Sequence, residues 1–150
     1  MTPKEVKDRL SKVYWLRKEV RAKERTLEEM KTMATHITAN FSPAKTFSSN
    51  VTSKPENYAV QTYELTLDLD EDIERLNKEI SIANGMIAIV KDSTARNILF
   101  AYHVQGMNLN LLEEIFHYSR TQLYVIRKNA YEEIADFINA NTTEHEYVIR

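Results

Sequence analysis

The sequence predicts an all-α protein, a long antiparallel helical hairpin followed by three shorter helices, and three observations carry that prediction. Turn-forming residues are scarce: 150 residues contain only two Gly and three Pro. Strand-rich folds need frequent tight turns, so this scarcity argues for a few long helices. Apolar residues recur at helical spacing over long stretches. Charge is also segregated. Ten Lys or Arg stand against six acids from Met1 to Lys31, and eight acids against only Arg75 and Lys78 from Glu56 to Glu79. Two segments of similar length and opposite sign invite pairing.

The first helix opens with a Thr2-x-x-Glu5 capping box and Pro3 at its first position. Val6, Val13, Val20, Leu27 and Ala34 occupy one heptad position, and Leu16, Met30 and Ile37 follow the other. Leu10, Tyr14 and Trp15 widen the stripe near its start, and the helix is expected to end near residues 36–38. From Ala39 to Ser53 the period stops in a Ser-, Asn- and Thr-rich run, read as a mobile loop tacked down by Phe41 and Phe47. Ser53-Lys54-Pro55-Glu56 is a second capping signature. The helix it opens carries the seam Leu69, Ile73, Leu76, Ile80, Ala83, Ile87 and Val90, alternating steps of four and three as coiled coils do. Gly85 inside that seam predicts close packing or a kink. Residues 1–90 are thus assigned to the hairpin, with the loop at about 39–53, and a homodimer is expected to cover the apolar side chains the hairpin leaves wet.

Three shorter helices are expected over 91–138. Asp92 or Ser93 caps the first, with Ala95, Ile98, Leu99, Tyr102 and a half-buried His103 on its core face, and Gly106 closes it in a left-handed cap. Asn108 caps a two-turn helix carrying Leu109, Leu112, Ile115 and Phe116. A turn at His117-Tyr118 leads to the last helix, from Ser119 to about Ile138, opened by a Ser119/Gln122 capping box. Its buried face is Leu123, Ile126, Ala130, Ile134 and Phe137. Its outer face carries Arg120, Thr121, Gln122, Tyr124, Arg127, Lys128 and Asn129, with no carboxylate before Glu132. Residues 139–150 are expected to be a flexible tail.

A support helix, a short helix, a tight turn and a longer helix with a cationic front form the layout of a helix-turn-helix. In that layout Arg pairs with guanine, Gln with adenine, and Lys, Thr and Tyr hold phosphates. The DNA-binding candidates are Ser119, Arg120, Thr121, Gln122, Tyr124, Arg127 and Lys128. From Lys91 to Phe137, however, five basic residues face six acids, so the strong positive field of many DNA binders is missing.

The order of elements and the block around Tyr118-Ser119-Arg120, Gln122, Tyr124, Ile126, Ala130 and Ile134 resemble small phage-encoded proteins of Gram-positive bacteria. These are related to the ArpU and RinA late transcriptional regulators, whose C-terminal part resembles region four of sigma factors. The resemblance implies a transcription regulator that binds duplex DNA and acts with RNA polymerase. It puts Tyr118, Ser119 and Arg120 at the turn and cap, and Thr121, Gln122, Tyr124, Arg127 and Lys128 on the reading face. Two positions depart from the family pattern. His117 stands where Gly is usual and Glu113 where a small residue is usual, so a splayed helix pair or a different turn is expected. The rival expectation is a helical adaptor or inhibitor of a host protein, with a degenerate helix-turn-helix.

Other chemistry finds little support. Asp68, Asp70, Asp72 and Glu79 match positions one, three, five and twelve of a calcium loop, but Ile73 replaces its turn Gly. These acids are read as a helix face. Cysteine is absent, which removes disulfides and thiolate metal sites. Glu114 and His117 form a single Glu-x-x-His without the second copy a di-iron site needs. No enzyme, metal or cofactor is expected. The N-terminus lacks an export core and the longest apolar run, Met86 to Val90, is far below the ~20 residues that span a bilayer. The expected location is the cytoplasm, that of the host cell for a phage-encoded protein.

Overall fold

A computed structural model describes residues 1–39 and 54–148, with side chains over 1–35 and 56–143. The expected loop anchors Phe41 and Phe47 and the cap at Ser53 lie outside the described residues. Among the described residues the protein is all-α and has no strand. Helix α1 spans Pro3–Ala39, α2 Lys54–Ile87, α3 Ser93–Leu99, α4 Leu109–Phe116 and α5 Arg120–Val148, and a π-helical turn, Phe100–Val104, continues α3.

The helix starts follow the sequence signals closely. Thr2 N–H donates to Glu5 Oε2 at 2.6 Å and Glu5 N–H to Thr2 Oγ1 at 3.2 Å, closing the first capping box. Those bonds, the backbone one foremost, hold the Glu5 carboxyl below its ordinary pKa. Asp92 Oδ2 accepts from Ala95 N–H at 3.0 Å, and Asn108 Oδ1 from Leu111 N–H at 2.8 Å. Helix ends follow the signals less closely. Past Ile138 the sequence has neither Pro nor Gly to break the helix, and α5 continues to Val148.

The chain divides into two compact units, Leu16–Arg75 and Met1–Trp15 together with Leu76–Arg150. In the first, Val20, Leu27 and Leu69 are buried. Buried Asp72 accepts a hydrogen bond from Lys23 and lies 3.8 Å from Arg75, so it is neutralised by cations of the protein. The bond to Asp72 raises the Lys23 pKa. The would-be calcium loop is continuous helix, in which Asp68, Asp70 and Asp72 diverge. Among the described residues no group of three or more His, Asp or Glu is placed to hold a metal.

The second unit holds the main core. Val6, Leu10 and Val13 of α1 pack with Ala83, Met86 and Ile87 of α2, and with Val90, Leu99, Val104, Ala130, Tyr131 and Ile134. Arg9 and Glu79 form an ion pair at 3.2 Å at its edge. A Cβ at Gly85 would meet nothing within 4 Å, so close packing is not what this glycine provides. No described helix is long and apolar enough to cross a membrane.

Candidate nucleic-acid interface

The expected reading segment is built on a small second core of Ile98, Ala101, Leu112 and Leu123, flanked by Met107, Leu109, Phe116 and Tyr118. Leu112 and Leu123 are fully buried, which fastens α4 and α5 to each other. Ile115, expected in this core, is instead exposed, as is Phe137 on α5. On α5, Tyr131 and Ala135 are buried instead of Phe137.

The join between α4 and α5 is a left-handed turn made without glycine. His117 has φ 58°, ψ 34°, and its N–H donates to Glu113 O at 3.0 Å. His117 adopts the left-handed conformation that a glycine would take more cheaply. His117→Gly should therefore raise the unfolding free energy by roughly 0.5–1 kcal/mol in urea titrations, whereas His117→Ala should not. Gly106, at φ +71° with open space around it, should respond in the opposite sense. Gly106→Ala incurs only the backbone penalty of about 1 kcal/mol.

Glu113, the second departure, also has a use. Its Oε1 lies 3.3 Å from Arg120 Nε, and Arg120 donates a further hydrogen bond to Asn110 Oδ1. Arg120 thus clamps the first turn of α5 to α4. Ser119 N–H donates to Gln122 Oε1 at 2.9 Å and Gln122 N–H to Ser119 Oγ at 3.2 Å, completing the capping box. Because that bond occupies the Gln122 carbonyl oxygen, two-point pairing with adenine would require the cap to open.

Of the expected reading residues, Ser119, Arg120, Thr121, Gln122, Tyr124 and Lys128 are exposed, together with Val125 and Asn129. Arg120, Tyr124 and Lys128 follow one another at four-residue steps, with Thr121 beside them, so they share one face. Lys128 has no ion-pair partner among the described residues. Arg127 is the correction. It is 8 % exposed, its guanidinium lies 4.4 Å from the centre of the Tyr102 ring, and its Nε–H points back to Leu123 O at 3.4 Å. A side chain held this way belongs to the core and not to the outer face on which the sequence places it.

Arg127 belongs to a buried polar cluster that sequence reasoning missed. His103, 2 % exposed, shares a 2.6 Å hydrogen bond between its Nε2 and the Tyr131 hydroxyl, and its ring stands edge-on to both Tyr102 and Tyr131. The π-helical turn explains why periodicity did not find it. Gln105 N–H bonds to Phe100 O at 3.0 Å, five residues back, which shifts the register of α3. Ala101, His103 and Val104 enter the core, and Tyr102, expected there, is left half-buried. Burial pushes the His103 imidazole down to about 3, helped by the positive charges of Arg127 and Lys7. Burial likewise pushes the Tyr131 phenol up to about 12, against the pull of Arg127. Both groups are therefore neutral near pH 7.

Compared with known protein families, with curated proteins and with solved structures, the chain shows no match.

Proposed function

We propose that this protein is a non-enzymatic transcription regulator of phage type, which binds duplex DNA through α4, the His117 turn and α5. One observation carries the reading. The turn, the Ser119/Gln122 cap and the Arg120 clamp hold α5 rigidly by its buried face, while Thr121, Tyr124 and Lys128 point outward from its first turns. In this reading Lys128 and Thr121 hold phosphates, and Tyr124 and Val125 pack against base edges, where a thymine methyl offers Val125 an apolar contact. Gln122 acts first as a cap. The resemblance to phage late regulators supports action beside RNA polymerase, and two copies of the chain, presenting two such helices, read two half-sites.

Fluorescence anisotropy with a random 25-base-pair duplex, over a salt series, tests the proposal. Wild-type protein should bind at low salt and weaken steeply as salt rises. A Thr121→Ala, Lys128→Ala double variant should bind roughly tenfold more weakly, with a salt slope reduced by about one. No binding at low salt, or binding unchanged in that variant, overturns the proposal.

A further inference from the structure

Helix α2 is apolar on two opposite sides. Leu69 and Asp72 mark its buried side, and Leu65 and Leu76 lie half-buried on the same side. About half a helical turn away stand Val60, Tyr63 and Leu67, at 56 %, 66 % and 48 % exposure. Their three- and four-residue spacing is that of a helix seam. One apolar stripe of α2 therefore lies against the protein and a second faces outward. Exposed acids, Glu56, Glu64, Asp70, Glu71 and Glu74, flank the outer stripe.

The same compact unit, Leu16–Arg75, carries the opposite charge on its other helix. Over residues 16–39 six Lys or Arg stand against four acids, and over 54–75 seven acids against two bases. Among the described residues of the unit, Lys23 of α1 meets Asp72 of α2, and Arg75 of α2 lies beside the same carboxylate. Arg21 and Arg25 are exposed on the outward side of α1, without an ion-pair partner among the described residues, and exposed Glu28 and Glu29 separate them from exposed Met33 further along the same helix. A two-fold interface must be self-complementary, each patch meeting the other on the partner. A unit with an acidic, apolar-striped helix beside a basic one meets that condition: α2 of one copy lies against α1 of the second, twice over.

We propose that the outer stripe of α2, Val60, Tyr63 and Leu67, is the homodimer interface, seated against the Arg21 and Arg25 side of α1 in a second copy. The proposal rests on the two-copy part of the reading above and is independent of DNA binding. Its test is multi-angle light scattering at 20 µM, with circular dichroism to show that each variant keeps its helix content. Wild-type protein should run as a dimer, and Tyr63→Glu with Leu67→Glu should run as a monomer of unchanged helicity. Arg21→Glu with Arg25→Glu should weaken the dimer at least tenfold. Adding Glu64→Arg and Glu71→Arg to that pair should restore it, an outcome that a merely exposed stripe or an unrelated protein partner would not give. A monomeric wild type overturns both the interface and the two-copy reading. A dimer unmoved by the stripe variants overturns the interface alone.

Discussion

Lowering the pH from about 6.5 towards 4 should remove roughly 1.4 kcal/mol of stability per pH unit through His103 alone. In the unfolded chain the imidazole takes up a proton near its ordinary 6.5, whereas in the folded protein burial and the neighbouring cations hold it at about 3. Between these values the unfolded state binds more protons, so its free energy falls relative to the folded state as acid is added. The contribution is fully present above about 6.5 and is lost progressively down to about 3. Urea unfolding at a series of pH values reads it, with His103→Gln as the reference. Glutamine can still pair with the Tyr131 hydroxyl but does not titrate. Wild type should lose stability on acidification more steeply than the variant, by about that slope. Parallel slopes would mean that His103 is hydrated or protonated in the folded protein.

The second large effect separates two neighbouring cations. Arg127→Ala should lower the unfolding free energy by about 2 kcal/mol or more, because the buried guanidinium is stacked on Tyr102 and its stem fills core space. Affinity of the folded fraction for DNA should stay unchanged. Lys128→Ala should do the reverse, leaving stability within about 0.5 kcal/mol and weakening DNA binding. Chemical unfolding and anisotropy on the same two variants check both halves. A stable Arg127→Ala protein that no longer bound DNA would return that residue to the reading face.

Adjacent residues of like charge have opposite fates here for a simple geometric reason. Along a helix a step of one residue turns the side chain by about 100°, so Lys128 points outward where Arg127 points in. The buried set on α5 includes Leu123, Arg127, Ala130, Tyr131, Ile134 and Ala135. A hydropathy pattern sees Leu123, Ala130 and Ile134 and assigns the charged and phenolic members to solvent. The aromatic ring of Tyr102, on the π-helical turn, and the carbonyl of Leu123 make Arg127 an acceptable core residue.

The helical class, the helix starts and the seams of α1 and α2 were legible in the residues themselves. Those properties are local: caps act over three residues and seams over the pitch of one helix, so Thr2, Asp92, Asn108 and Ser119 act where their neighbours announce them. Tertiary structure alone decided which polar residues go inside. It placed Asp72 against Lys23, and His103 with Tyr131 and Arg127, and it brought Val6, Leu10 and Val13 into one core with α5. Those outcomes depend on what lies across from each side chain, on residues far away in sequence, and on a single five-residue turn that shifts a register no periodic pattern can follow.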